Sequence, residues 1–117
     1  MHDPSLQAVR RAAAFESTVL ENGLTVRVHT MPGFTGVHAV YGTKFGSIDR
    51  AFALDGKRVD LPAGIAHFLE HKMFENEEGD AFTLYARTGA SANAYTSFDK
   101  TCYIFTASGN VAENLDI

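Results

Sequence analysis

The chain has 117 residues, a net charge of −4, 45% hydrophobic and 21% charged residues, the balance of a globular domain rather than of a disordered chain. The mild acidity and the lack of a Lys/Arg stripe offer no phosphate-binding face, so no nucleic-acid partner is expected. No apolar run approaches the roughly 20 residues that cross a bilayer, and Cys102 is the only cysteine, which leaves no internal disulfide.

Met1-His2-Asp3-Pro4 lacks the basic-then-apolar opening of a secretory leader, so a cytoplasmic location is the expectation. Residues 1–16 read as a polar lead-in, and residues 17–117 as the folded part. Strands are expected over residues 17–20 and 24–30, joined by the Asn-Gly hairpin signal of Glu21-Asn22-Gly23. In the second, Leu24, Val26 and Val28 alternate with Thr25, Arg27 and His29, the pattern of a strand with one wet face.

A third strand is expected over residues 37–44, and a loop holding Asp55-Gly56 over residues 46–62. Residues 63–74 read as a helix, residues 75–79 as a polar break and residues 80–87 as a second helix stopped by Gly89. Strands follow at 91–96 and 101–107. Asn110-Val111-Ala112-Glu113 has the form of a capping box that opens a third helix. Ile117 stands about two turns into that helix, so the chain reads as the N-terminal part of something longer. The fold class expected is α+β, a mainly antiparallel sheet with helices packed on one face.

His67-Phe68-Leu69-Glu70-His71 is the stretch that carries chemistry. At about 100° per residue, Glu70 lies about 60° to one side of His67 and His71 about 40° to the other. All three therefore project from one face. Ile65, Phe68, Leu69 and Met73 lie on the opposite side, where a core is expected. Two imidazoles at i and i+4 can share one zinc ion. A carboxylate one turn from the first reaches a water on the open side of the metal and takes its proton. This is the inverted order of the His-Glu-x-x-His motif, with the same three roles. The bland alternative is a solvated helix that happens to bear His and Glu. His2, His29 and His38 read as solvated or structural histidines, and Cys102, among Tyr103, Ile104 and Phe105, as a small buried residue.

The motif and its surroundings resemble the pitrilysin-like zinc metallopeptidases. The resemblance rests on Asn22-Gly23-Leu24, on Gly46-Ser47, and on the run from Gly64 through His67, Glu70 and His71 to Phe74. It extends to Asn93-Ala94-Tyr95-Thr96 with Asp99, Thr101 and Tyr103. The runs from Thr43 to Asp49 and from Gly89 to Ala94 are most similar to the bacterial YmfH-like group within that family. It implies a partial LuxS/MPP-like metallohydrolase domain, with His67 and His71 as zinc ligands and Glu70 as general base. Asn93, Ala94 and Tyr95 would bind peptide substrate along an edge strand, by the backbone pairing that an open edge offers.

The resemblance further implies a third zinc ligand, a Glu from a helix downstream of Ile117, and a homologous partner subunit or dimer. The activity implied is zinc-dependent endopeptidase action on peptides or unfolded polypeptides. The alternatives are a non-catalytic peptide-binding subunit of a paired peptidase, and a truncated domain without activity of its own.

Overall fold

The computed structural model describes residues 15–117. Of the expected lead-in, residues 1–14 and with them His2 lie outside the described residues, while Glu16 already begins a strand. The chain divides into two compact units, Met1–Phe34 and Thr35–Ile117.

In the first unit β1 (Glu16–Val19) pairs antiparallel with β2 (Thr25–Val28), Glu16 opposite Val28 and Val19 opposite Thr25. The Asn-Gly turn closes the hairpin. Gly23 has φ 87°, a conformation open to glycine at no steric cost, and Asn22 Oδ1 accepts the N–H of Leu24 at 3.0 Å.

The second unit is built on a three-stranded antiparallel sheet in the order β3 (Val37–Thr43), β9 (Thr101–Ala107), β8 (Ser91–Thr96). Val37 faces Ala107 and Thr43 faces Thr101 on one side of β9; Ser91 faces Thr106 and Thr96 faces Thr101 on the other. Because side chains alternate across a strand, Thr101, Tyr103, Phe105 and Ala107 share one face with Ala92, Ala94 and Thr96. This is the face that the helices cover. α1 (Ile65–Met73) leads to Phe74, whose ring lies 5.9 Å from Tyr103, and α2 (Ala81–Arg87) sets Tyr85 5.7 Å from Phe105. Phe105 at 6% exposure and Ala66, Ala81 and Ala107 at 4% or less form the core on this side, and Cys102 at 6% is buried on the other face of the sheet.

The apolar side of α1 does not face this core. Phe68, Leu69 and Met73 are exposed, whereas Ala66 and Glu70 are buried. The expected partition of the helix thus fails: of its apolar side only Ile65 is half-buried, and of the motif face Glu70 is buried while His67 and His71 stay exposed. The small Ala66 lets the helix come close to the sheet, and Glu70 follows it one turn later on the same side. The helix also starts later than expected, because Gly64 before it has φ 82°.

Residues 46–62 are not a plain loop. β4 (Ala51–Leu54) and β5 (Lys57–Asp60) form a hairpin around Asp55 (φ 50°) and Gly56 (φ 74°), the two left-handed residues of a type I′ turn. The break after α1 is likewise ordered: β6 (Glu75–Asn76) pairs with β7 (Gly79–Asp80). Asp80 then caps α2, accepting the N–H of Phe82 at 2.8 Å.

The capping box expected at Asn110 is not formed. Asn110 has φ 54°, and its amide reaches the Thr88 carbonyl instead of the first turn of α3 (Val111–Asp116). The fully buried Asn114 ties these segments together. Its amide nitrogen donates to the Asn110 carbonyl at 2.9 Å, and Thr88 Oγ1 donates to its Oδ1 at 2.5 Å.

Gly46 locks the segment after β3 to the turn between β8 and β9. A Cβ there would stand 2.3 Å from the Phe98 carbonyl oxygen and 2.6 Å from Asp99 N. The backbone comes this close because Ser47 N donates to Ser97 O and Ile48 N to Phe98 O, both at 3.0 Å. Among the described residues no helix is long and apolar enough to cross a membrane.

Candidate metal centre and substrate cleft

α1 brings the three motif residues together, as spacings of three and four on a helix require. His67 Nε2 and His71 Nε2 stand 3.0 Å apart, with ring centroids at 4.7 Å. One donor atom from each of His67, Glu70 and His71 can be chosen so that all lie within 4.8 Å of one another. Two nitrogens about 2.1 Å from one tetrahedral zinc are about 3.4 Å apart. A slight opening of the pair would therefore seat the ion. The donor set, two imidazoles with a carboxylate beside them, suits zinc.

The histidines are exposed and Glu70 is not, at 8% exposure. Its Oε2 accepts a hydrogen bond from Thr96 Oγ1 at the end of β8. Nearby, burial first, then the negative charge of Glu70 and then Tyr41, push the Tyr103 phenol above its ordinary pKa, since both burial and a neighbouring anion disfavour phenolate.

His67, Glu70 and His71 line a cleft of about 430 Å³ together with Asn93 and Ala94. Phe74 and Phe82, stacked at 4.4 Å, line it too, as do Glu75 and Asp80. None of these last four stood out in the sequence as a site residue. Glu75 is engaged by Lys72 at 2.7 Å and Asp80 by its capping bond.

β8 pairs with β9 alone among the described strands, so its other edge is open. Ser97 N donates to Lys100 O, on the β9 side. Backbone direction alternates along a strand, so the N–H and C=O of Ala94 point to the open edge. There Asn93 Oδ1 accepts the Ala94 N–H at 2.9 Å. Asn93 and Ala94 thus meet at the cleft, but Tyr95 does not join them. Strand alternation puts its side chain on the other face, against Cys102. A hydrogen bond to that thiol is the main cause that raises the Tyr95 phenol pKa.

His38 and His29 have neighbours of their own. His38 Nδ1 lies 3.1 Å from Thr106 Oγ1, and the His29 ring is 5.5 Å from Phe15. Thr96 is the residue that sequence reasoning passed over. Its signal was parity with Ala94, which puts it on the helix side of β8.

Comparison with known proteins converges on the same segment. A family model described as Insulinase (Peptidase family M16) matches residues 56–117. The "Uncharacterized zinc protease YmfH" of Bacillus subtilis (strain 168) is 50% identical over 99 residues, covering 83% of this chain and 23% of that protein. The "Probable mitochondrial-processing peptidase subunit beta" of Schizosaccharomyces pombe is 37% identical over 103 residues, 85% of this chain and 21% of its own. The crystal structure of an M16-like peptidase from Alicyclobacillus acidocaldarius superposes with a TM-score of 0.82 at 45% identity, covering 87% of this chain and 24% of that one. The chain therefore spans about a quarter of the length of these relatives. With its motif helix inside the matched segment and half its residues shared with one relative over most of its length, the chain belongs to the insulinase family of peptidases, family M16.

Proposed function

We propose that this chain supplies the zinc-binding and proton-accepting part of an endopeptidase that cleaves peptides or unfolded polypeptides. The observation that carries the reading is the convergence of His67, Glu70 and His71 on one cleft that an open strand edge also lines. His67 and His71 would hold the ion through Nε2. Zinc, when bound, supplies Lewis acidity, lowering the pKa of water and polarising a carbonyl. The relative named YmfH is called a zinc protease, which supports this choice of metal.

The protein groups divide the remaining work. Glu70 has one oxygen engaged by Thr96, so the other is available to accept a proton from water and pass it to the leaving amine. The open edge of β8 offers the N–H and C=O of Ala94 to an extended peptide. Asn93 covers that N–H until substrate displaces it, then turns its amide to the peptide. Tyr95 has no place in this scheme. The S. pombe relative is named as a subunit, which supports a homologous partner or a dimer as the assembly that closes the cleft.

The test is Glu70→Gln in the full-length protein. Zinc content and peptide binding should persist, while turnover falls by roughly 10² or more, the worth of a positioned proton acceptor. Chelator should abolish cleavage by the parent. Parental turnover in Glu70→Gln would sink the role of Glu70, and chelator-resistant cleavage would sink the role of zinc.

A further inference from the structure

We propose that Thr96 is a positioning residue for the reaction, one that orients the Glu70 carboxylate for proton transfer without touching substrate or metal; this rests on the reading of Glu70 as proton acceptor. The two residues are 26 positions apart, and the bond between Thr96 Oγ1 and Glu70 Oε2 ties α1 to β8 at the cleft.

Three features make the tie a directing one. Glu70 is 8% exposed, so most of its surface is packed, and a carboxylate oxygen that lost its partner on the strand side would have to move to find another. Thr96 is itself held in place. Its cross-strand partner is Thr101, which is 2% exposed and donates to the Phe45 carbonyl at 2.8 Å. The next residue, Ser97, is bonded through its N–H to Lys100 O and through its carbonyl to Ser47 N. A β-branched side chain on so fixed a backbone has few rotamers, so its hydroxyl is a preset donor. Finally, the bond engages Oε2 alone among the carboxylate oxygens. The geometry thus divides the carboxylate into an anchored oxygen and a working one, which is how an outer partner tunes a reacting group.

The experiment compares Thr96→Val and Thr96→Ser in the full-length protein, each alone and combined with Glu70→Gln. Thr96→Val keeps the shape and removes the hydroxyl. It should lower kcat by about 10- to 100-fold, the range for loss of an outer-shell partner, with KM and zinc stoichiometry unchanged. Thr96→Ser should restore kcat to near the parental value. In the Glu70→Gln background Thr96→Val should lower kcat no further, because its effect passes through Glu70. Melting temperatures of the metal-free proteins should show the same coupling, the double variant falling by less than the two single shifts together.

Loss of zinc or a raised KM in Thr96→Val would show a merely structural role and overturn the proposal. So would a Ser variant as slow as the Val variant, or additive losses in the double variant. Parental kcat in Thr96→Val, with Glu70→Gln inactive, overturns the Thr96 proposal alone. Parental kcat in Glu70→Gln overturns the reading of Glu70 itself.

Discussion

An exposed Glu samples several rotamers, but Glu70 is packed against the sheet and bonded to a strand hydroxyl. Its histidine neighbours are exposed, and among the described residues the ring hydrogen bond of each is to the other. Neutral imidazoles 3.0 Å apart can share one hydrogen bond, with one ring donating and the other accepting. Cation binding replaces that bond with two donor contacts to the ion. The centre therefore combines a fixed base with adaptable ligands. His71→Ala removes one of two imidazoles, so zinc affinity of the full-length protein should fall by more than the 10- to 100-fold typical of an outer-shell loss. Activity should fall with it. Zinc stoichiometry on the purified variant checks this, and it separates His71 from Glu70, whose Gln variant keeps the metal. Full occupancy in His71→Ala would mean that the ligands lie elsewhere.

At the scale of elements, the least tolerant point is the clasp between the segment after β3 and the β8–β9 turn. Gly46→Ala would push a methyl to within 2.3 Å of a backbone oxygen that two neighbouring hydrogen bonds hold in place. The expected cost is about 1–3 kcal/mol, as for overpacking, read from the denaturant midpoint at unchanged slope. Gly42→Ala is the control, since its Cβ would meet Cys102 Sγ at an ordinary 3.8 Å; an equal loss there would contradict the argument. What the sequence revealed at this scale follows from the range of the forces involved. β8 and β9 were legible to the residue, because turn residues bound them and one side is packed. The metal-capable triplet was legible because it is local to one helix turn. The hairpin of β4 and β5 was not, although Asp55-Gly56 marks it: only Val59 among its strand residues is even half-buried, so no core-facing alternation exists to read. The buried side of α1 and the bond from Thr96 to Glu70 are tertiary, and counting apolar residues on a helix does not say which neighbour it meets.

For the whole molecule, the question is whether these 117 residues alone make a working centre. Catalytic zinc takes three protein ligands and keeps a fourth position open. Among the described residues the metal-capable group consists of His67, Glu70 and His71, and Glu70 has one oxygen on Thr96 and the other left to accept a proton. The other carboxylates of the cleft are engaged elsewhere, Glu75 by Lys72 and Asp80 by the first turn of α2. Glu75 is eight residues beyond His67, a rise of about 12 Å if the helix continued, too far to share an ion with both histidines. Recruiting Glu70 as third ligand would remove the proton acceptor, so either choice leaves the centre short of one group. The apolar side of α1 adds a second defect, since Phe68, Leu69 and Met73 are 59%, 44% and 61% exposed and contiguous apolar surface promotes association. The isolated 117-residue chain should therefore bind zinc more weakly than the full-length protein, self-associate with rising concentration, and cleave no peptide. Zinc competition against a chelator, sedimentation over a concentration series and a peptide-cleavage assay, each run beside the full-length protein, check the three parts. Chelator-sensitive cleavage by the rigorously purified chain would refute the ligand argument, because it would require a third ligand among these 117 residues that leaves Glu70 free to accept a proton.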